Sequence, residues 1–547
     1  MATERTRTIA RHLQPLPNDK YPDRQTWDER KLPKENPYLI GNFAPTATEG
    51  EFLGLECSEG EIPTDLRGSY LRVGPNPRFD FTGLPYHTFD GDGFIHSVTF
   101  PADGTKPFYV KRWVRTRRLL TAELRGFDVA EMGEQAFGSF SYFEHVMDKL
   151  APGHDAGGKG QRMGKANTNL VTYANRVLSL EEQDVPYEVV ASWDPWSHLR
   201  TVGKFDFNHQ LKHPVTAHPK IDPETHEMIF FGYDPISPRV SYSVGSPEGQ
   251  LVRTLDIALP GTNHGGMMHD MAITKNYSLL FDMRLYFDMD AIAEGKNPWK
   301  HHLDLPARFG ILPRHAQSSS EVQWIDVDPC AVFHFANAWE EADGTITVVG
   351  CRLPTVNFMQ HEDNVKAGKV GAKKEEKTET LIFAKMHVWR LDPKNNKCIG
   401  ERIISKHACD FVQVDPARVG RKSRYAYAQL FEDDPRKIPS QYRDSLFIAT
   451  GLLKYDLEKG TVKEIKYRSK NGSQMYGTES VFAERNGRDG SQEDSGYMVV
   501  YCHDETSQQS ECHVYRAEDL SLQCRIPIPE RIPYGFHAHW VAGNVLK

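Results

Sequence analysis

The sequence lacks the segments that would mark a membrane or exported protein. No stretch approaches the roughly 18 uncharged apolar residues that a membrane-spanning helix needs. The first residues, Met1–Arg5, are polar and do not lead into the apolar core of a secretory signal. Acidic residues from Asp19 to Glu29 come too early for a transit peptide. We therefore expect a cytosolic protein.

Paired cysteines and a basic excess are also missing. The eight cysteines are scattered without a C-x-x-C pair, which is typical of buried thiols in a reducing compartment. Cys502 and Cys512 could face each other across a hairpin, but we do not expect a disulfide there. The net charge of −8 argues against a nucleic-acid-binding protein, which usually carries a basic excess.

Helical periodicity is rare, and β-type patterns fill most of the chain. A helical period appears mainly in Arg118–Leu150, with a shorter stretch at Met289–Glu294. Short strand-like runs are separated by turn residues, as in Met228–Tyr233 and Val240–Val244 around the Pro235–Pro238 break. Many hairpins at this spacing predict an all-β barrel or propeller.

The chain divides into two parts by composition. Residues 1–35 are polar and contain several prolines, so we predict an extended N-terminal arm. Residues 36–547 are predicted to form a single domain, because closed all-β folds often run long as one unit. No sequence repeat that would count propeller blades is visible.

Four histidines lie in short phrases that are suited to holding a metal ion: His218 in T-A-H-P-K, His269 in M-H-D, His334 in F-H-F-A-N-A and His537 in Y-G-F-H. The gaps between them are too long for one helix or hairpin. Only a fold that brings distant strands to one axis could bring the four together. Four imidazoles without a carboxylate would suit ferrous iron, zinc or copper. Spacing alone decides little, because the chain has 23 histidines.

These phrases resemble the iron-site motifs of the carotenoid cleavage oxygenases. The match runs from about Asn36 to the C-terminus and keeps one order throughout. It comprises Val73–Pro77, Phe89–His96, Ala166–Thr168, Val215–Lys220, Met267–Thr274, Asn337–Glu341, Gly420–Tyr425 and Pro533–Ala538. Within the family, the chain is most similar to the plant type-1 enzymes, which cut at the 9,10 position.

The resemblance implies a seven-bladed β-propeller with a helical or loop cap over an iron-bearing axis. It also implies one Fe(II) per chain, bound by His218, His269, His334 and His537. Such an ion would keep coordination positions open for O2, unlike a closed structural zinc site. Thr168 corresponds to the family's threonine beside an open iron position, where its methyl group would limit what binds the metal.

Three acids are implied as hydrogen-bond partners of the ligand histidines. Glu182 would accept from His269, and Glu479 would accept from His537. Asp410 would accept from His334 and replaces the commoner Glu, as in the plant type-1 group. Because its side chain is one methylene shorter, Asp410 requires a closer backbone or a bridging water. Carboxylates of this kind fix the tautomer and orientation of a ligand histidine.

The resemblance also bears on the substrate. Phe140, Phe143, Glu181 and Phe335 are expected to line a substrate tunnel. Stilbene-cleaving relatives grip a phenol with a Tyr and a Lys at the positions of Phe140 and Glu181, so that grip is missing here and an apolar polyene is favoured. Residues 136–150 are amphipathic, which fits either contact with a membrane surface or a helix packed on the propeller.

The sequence therefore predicts a dioxygenase that uses O2 to cleave a carotenoid or apocarotenoid, at the 9,10 bond, the 9′,10′ bond or both. A stilbene- or phenylpropenoid-cleaving enzyme is the alternative within the same class. A non-catalytic carotenoid-binding propeller is the alternative of a different class. A zinc hydrolase is disfavoured, because no H-E-x-x-H motif is present.

Overall fold

The computed structural model describes residues 36, 38–79, 86, 88–125, 164–235, 237–288, 299–356, 383–434, 437–439, 448–488, 490 and 492–547. Within these ranges β-strands dominate, as predicted, and the one α-helix is α1 (Arg117–Arg125). No helix in the described ranges is long and apolar enough to cross a membrane. The predicted arm 1–35, most of the helical stretch 118–150 and the stretch 289–294 lie outside these ranges.

The strands form seven successive antiparallel groups, which is the arrangement of a seven-bladed propeller. The group that contains the first and last strands has the order β1-β5-β4-β3-β32. Its members are β1 (Gly50–Phe52), β3 (Gly68–Pro75), β4 (Gly93–Phe100), β5 (Phe108–Trp113) and β32 (Ala538–Ala542).

Three four-stranded groups follow along the chain. They are β6 (Asn169–Tyr173), β7 (Arg176–Leu180), β8 (Tyr187–Val189) and β9 (Thr201–Lys204); β10 (Lys220–Ile221), β11 (Met228–Asp234), β12 (Ser237–Gly245) and β13 (Leu251–Ala258); and β14 (Ala272–Ile273), β15 (Tyr277–Asp282), β18 (Ala307–Pro313) and β19 (Gln323–Val327). A separate hairpin of β16 (Leu285–Phe287) and β17 (Trp299–His301) is inserted into the last of these.

The remaining three groups are joined edge to edge into one larger sheet. They are β20 (Ala331–Glu340), β21 (Ile346–Leu353), β22 (Lys385–Asp392) and β23 (Lys397–Gln413); β24 (Tyr425–Phe431), β25 (Ala449–Asp456) and β26 (Thr461–Lys466); and β27 (Tyr476–Gly477), β28 (Val481–Glu484), β29 (Gly496–Asp504), β30 (Gln509–Arg516) and β31 (Leu522–Ile528), with β2 (Glu59–Gly60) on the outer edge.

Inner and outer strands differ in the pattern that folds them. The β11 run M-I-F-F-G-Y is buried throughout, as expected for a strand covered on both faces by neighbouring blades. The outermost strand of the same group, β13, alternates between exposed residues and residues that are partly or fully buried, as expected for a strand with one solvated face. The predicted hairpin around Pro235–Pro238 is confirmed as β11 and β12, with Ile229 opposite Val244.

The register of β29 and β30 explains why two nearby cysteines remain reduced. Tyr501 lies opposite Cys512, and Cys502 lies opposite Glu511. Because side chains alternate between the two faces of a strand, this stagger places the two thiols on opposite faces of the sheet. All eight cysteines are free.

The ring is closed by a pairing between strands from opposite ends of the domain. β32 pairs antiparallel with β3, with Arg72 opposite Ala538 and Leu71 opposite His539. The innermost strands of the first five groups along the ring are β32, β6, β10, β14 and β20. Side chains at or just before four of these strands, β10, β14, β20 and β32, converge on one another.

Candidate metal centre

Four histidine side chains converge at the axis of the propeller. One ring nitrogen from each of His218, His269, His334 and His537 lies within 4.8 Å of the others. The Nε2 atoms of His218 and His269 are 3.0 Å apart. Those of His334 and His537 are 3.2 Å apart. These are the four histidines that the sequence phrases singled out.

Each histidine is delivered by the innermost strand of a different blade. His218 comes just before β10, His269 just before β14, and His537 just before β32; His334 lies within β20. The four are far apart in sequence, since 203 residues separate His334 from His537. The propeller axis supplies the convergence that no local element could supply.

The spacing of the nitrogens fits a metal ion with open coordination positions. With metal–nitrogen bonds near 2.1 Å, tetrahedral ligands would be about 3.4 Å apart, and ligands at right angles about 3.0 Å apart. The first Nε2–Nε2 distance, 3.0 Å, equals the second value, and the other, 3.2 Å, lies midway between the two. Both are shorter than the tetrahedral value, so the residues present fit a metal site that leaves coordination positions open.

Burial favours the neutral, metal-binding form of two of the rings. Burial and the neighbouring histidines lower the pKa of His218 and of His334 well below the usual value. Burial alone would also lower the pKa of His269, but the adjacent Glu182 carboxylate outweighs it and raises that pKa. A metal bound at Nε2 requires the proton to sit at Nδ1, which is where the carboxylates lie.

Three of the four Nδ1 atoms face a carboxylate. His269 forms an ion pair with Glu182. His334 Nδ1 lies 2.7 Å from Asp410 Oδ1, and His537 Nδ1 lies 3.1 Å from Glu479 Oε2. Burial raises the pKa of Asp410 to about 7. Positive charge on a bound ion would favour its ionised form.

The fourth histidine is held differently. His218 Nδ1 faces the amide nitrogen of Asn169 at 3.5 Å, and that amide nitrogen donates to the carbonyl oxygen of Ala217 at 2.8 Å. The backbone N–H of His218 donates to Thr216 Oγ1 at 3.1 Å. Thr216 Oγ1 in turn donates to the carbonyl oxygen of His269 at 2.7 Å. Loop hydrogen bonds therefore hold this ring where a carboxylate holds the others.

Strand irregularities occur beside two of these residues. The register of β20 against β21 shifts on both sides of Phe335, next to His334. The register of β23 against β24 shifts just after Asp410, and Phe411 has a φ of 52°. Bulges of this kind re-aim a side chain and are common next to active sites. Beside the second bulge, the short Asp410 side chain reaches His334 Nδ1 directly.

The segment that carries His537 is fixed to the β3 strand. Val73 N donates to the His537 carbonyl at 2.9 Å, and Phe536 N donates to the Val73 carbonyl at 3.0 Å. Gly535 packs against the buried Arg72 guanidinium so closely that a Cβ there would lie 1.5 Å from Arg72 Nη1. Any other residue in the Y-G-F-H phrase would have to displace this buried guanidinium, so the close approach favours glycine.

Several polar residues at the site were not predicted from the sequence. Tyr233 donates to Glu182 Oε2 at 2.8 Å, and Gln413 donates to Glu479 Oε1 at 2.8 Å. The backbone N–H of Ala538 donates to Glu479 Oε2 at 2.6 Å. Asp270 accepts hydrogen bonds from the backbone N–H groups of Met271 and Phe335, at 2.7 Å each. In the sequence, the signal for a role of Asp270 at this site is its position in the M-H-D phrase, directly after His269.

Of the four residues predicted to line the substrate tunnel, two are described by the structure, and their surroundings differ from each other. Phe140 and Phe143 fall outside the described residues. The Phe335 ring packs in the core against Phe281 and Phe309, with centroids 5.5 and 5.8 Å away. Burial raises the pKa of Glu181 to about 8, and its Oε2 is enclosed without a hydrogen-bond partner in the described part of the chain.

Two other aromatic rings lie directly against the histidines. The Phe333 ring is 5.2 Å from the His269 ring. The Phe411 ring is 5.1 Å from that of His334 and 5.0 Å from that of His537. They form an apolar wall beside the converging nitrogens. Thr168 lies nearby, and its carbonyl accepts from His537 N at 3.3 Å.

Comparison with known families matches this arrangement over nearly the whole domain. A family model described as retinal pigment epithelial membrane protein matches residues 43–542. The chain belongs to the carotenoid cleavage oxygenase family. Among curated relatives, it is 34% identical over 523 residues to a carotenoid 9,10(9′,10′)-cleavage dioxygenase of Crocus sativus, covering 93% of this chain and 90% of the relative. It is 33% identical over 523 residues to the Pisum sativum carotenoid 9,10(9′,10′)-cleavage dioxygenase 1, covering 93% and 91%.

Solved structures share the fold of this carotenoid cleavage oxygenase. A lignostilbene dioxygenase of Pseudomonas brassicacearum superposes with a TM-score of 0.75 at 24% identity, covering 93% of this chain and 98% of that one. A mutant of the apocarotenoid oxygenase of Synechocystis superposes with a TM-score of 0.73 at 23% identity, covering 95% of this chain and 100% of that one. These likenesses confirm the predicted fold.

Proposed function

We propose that this protein is a non-haem iron(II) dioxygenase that cleaves one carbon–carbon double bond of a carotenoid or apocarotenoid to two carbonyl products. The proposed position of cleavage is a 9,10-type bond, at one or both ends of the substrate. The convergence of four histidine nitrogens within 4.8 Å carries the proposal. It occurs in a chain that is 33–34% identical to relatives named as 9,10(9′,10′)-cleavage dioxygenases.

The proposed cofactor is one Fe(II) per chain, bound by His218, His269, His334 and His537. Iron would supply the coordination position at which O2 is bound and activated. Four neutral imidazoles suit this ion and leave its charge at +2. Glu182, Asp410 and Glu479 hold three of the rings in the tautomer that presents Nε2 to the metal.

The other residues at the site shape it and exclude water. Phe333 and Phe411 cover the histidines with apolar surface, which suits a polyene and excludes solvent from the reacting bond. The Thr168 hydroxyl donates to Asn167 Oδ1 at 2.9 Å. We propose that the Thr168 methyl group limits access to one position on the metal. No proton transfer from a side chain is required by this proposal.

The proposed tunnel residues set the choice between a polyene and a stilbene. A buried phenol without a polar partner would cost about 1–3 kcal/mol, and Phe140 cannot form a hydrogen bond. Glu181 is protonated at neutral pH if its pKa is about 8. A single protonated carboxyl is a weaker match for a phenol than the Tyr and Lys of stilbene-cleaving relatives.

The test is product analysis by mass spectrometry with iron-loaded protein in detergent micelles. The panel contains C27–C40 carotenoids and apocarotenoids together with resveratrol. We expect aldehydes or ketones from a 9,10-type cleavage and little product from resveratrol. The double variant Phe140→Tyr/Glu181→Lys should shift activity toward resveratrol, and the matched control is Glu181→Gln.

Three outcomes would contradict the proposal in different ways. A much higher rate on resveratrol, with no carbonyl product from any polyene, would favour the stilbene-cleaving alternative. Tight binding of carotenoid without any product from iron-loaded protein would favour the non-catalytic propeller. Stoichiometric binding of zinc in place of iron, with no oxygen consumption, would remove the dioxygenase chemistry altogether.

Three further expectations stay as predictions. The partners would be an apolar polyene and O2, with no nucleic acid. Membrane contact through 136–150 concerns a segment outside the described residues. The cytosolic location rests on the sequence alone, and a fluorescent fusion examined together with membrane fractionation would test both.

A further inference from the structure

Asp270 is a buried carboxylate beside the metal centre, and in the described part of the chain no hydrogen bond joins it to a histidine ring. It follows His269 directly and is 2% exposed. Its Oδ1 accepts from the backbone N–H of Met271 at 2.7 Å and pairs with Lys220 Nζ at 2.7 Å. Its Oδ2 accepts from the backbone N–H of Phe335 at 2.7 Å. One side chain thus makes three short polar contacts.

The three partners of Asp270 belong to the segments that carry three different histidines. Lys220 begins β10, two residues after His218. Phe335 is the residue after His334 on β20. Met271 belongs to the same segment as His269. The Asp270 carboxylate therefore lies at the junction of three neighbouring blades.

Polar contacts at this junction can fix the placement of the ligand segments relative to one another. Apolar side chains between neighbouring blades are close-packed but carry little directional information. Hydrogen bonds to an ionised carboxylate are short and roughly twice as strong as neutral ones. A functional constellation must be held to within about 0.5 Å by supporting hydrogen bonds and packing. Asp270 supplies such support to three ligand segments at once.

We infer that Asp270 is a positioning residue of the metal centre, which sets the relative placement of His218, His269 and His334 and thereby the affinity for the metal. It does so through backbone and lysine contacts, without touching metal or substrate. This inference rests on the proposed function only in that the four histidines bind a metal ion.

The test compares Asp270→Asn with a matched control, Asp282→Asn. Asp282 is 1% exposed, lies on β15 of the same blade as His269, and pairs with Arg308 Nη2 at 2.8 Å. An Asn at either position removes the charge of a buried ion pair. At position 270, however, the amide can offer an oxygen to only one side, so its NH2 must face either Phe335 N or the Met271–Lys220 pair.

Two measurements report on the metal centre independently of turnover. Affinity for Fe(II) and Co(II) is measured by chelator competition, and the visible absorption of the Co(II) form reports ligand geometry. Asp270→Asn should lose roughly 10–100-fold in affinity, as partners of metal ligands typically do, and should change the Co(II) spectrum. Asp282→Asn should lower the melting temperature and leave both readouts unchanged.

A second variant keeps the test decisive if Asp270→Asn does not fold. Lys220→Met removes the ion pair but keeps both backbone hydrogen bonds to Asp270, so it should fold and show a smaller shift of the same kind. Wild-type affinity and spectrum in the folded Asp270 variant, or in Lys220→Met when that is the only folded one, would overturn the inference. So would equal losses in Asp282→Asn. Failure of the wild-type protein to bind either ion would instead sink the iron site itself, and the inference with it.

Discussion

His218 and His537 are two ligands of one proposed ion, and they are held in different ways. His537 Nδ1 faces Glu479, which also accepts from Ala538 N at 2.6 Å. Among the described residues, His218 Nδ1 faces the Asn169 amide nitrogen, at 3.5 Å, and no carboxylate. A ring can therefore be placed either by a carboxylate or by the hydrogen bonds of its own loop. Since a carboxylate also raises ligand basicity, His218 should be the weakest donor of the four.

The largest effect should come from removing a ring, whichever way it is held. Wild-type protein should carry close to one iron per chain. His218→Ala and His269→Ala should both lose most of the iron and the activity, because each removes a ligand. Elemental analysis of purified variants is the measurement. Full iron content in His269→Ala would contradict the four-histidine site, and full iron in His218→Ala alone would reduce the site to three ligands.

Removing a carboxylate should have a smaller effect than removing a ring. Glu182→Gln and Glu479→Gln should keep some iron but lose roughly 10–100-fold in metal affinity or activity. Chelator competition and steady-state rates measure the two quantities separately. If both variants kept wild-type affinity and turnover, these acids would not be functional partners of His269 and His537.

Lengthening the third acid should disturb His334 by a different route. Asp410 Oδ1 lies 2.7 Å from His334 Nδ1, directly beside the backbone bulge at Phe411. In Asp410→Glu the additional methylene has to fit into a packed site, at a cost of about 1–3 kcal/mol. We expect a lower melting temperature together with weaker iron binding. Unchanged stability with tighter iron binding would show that the bulge can relax to accept the longer acid.

The smallest effect on metal affinity should come from replacing Asn169, whose amide faces His218. Asn169→Ala removes an amide that lies too far from His218 Nδ1 for a good hydrogen bond. We expect the loss in metal affinity to stay below the 10-fold lower limit that is typical of carboxylate partners. A loss as large as that of Glu479→Gln would erase the distinction between the two kinds of ligand.

The features that could be predicted are those encoded in short stretches of the sequence. Alternating apolar runs and turn residues predicted hairpins such as β11–β12, and the short phrases around His218 and His537 singled out residues that the fold brings together. The blade count came from the resemblance, because strands without a repeat look alike in a single sequence.

The features that were not predicted depend on contacts between residues that are distant in the sequence. The bulge at Phe411 follows from the register of β23 against β24, which no local pattern encodes. Tyr233 reads as one more aromatic in a buried strand, and Gln413 as an ordinary polar residue. Asp270 reads as a surface charge, since acids are mostly exposed. Only the folded ring shows that these side chains face the site.

The closing pair of strands has a consequence for how the protein is made. His537 lies one residue before β32, and β32 pairs with β3. During synthesis, the first three histidines leave the ribosome long before the fourth. An unfinished chain can therefore offer iron three ligands at most and has no closed ring to shield it. Pairing of β32 with β3 therefore closes the ring and brings in the fourth ligand together, so a chain cut off before His537 would have neither.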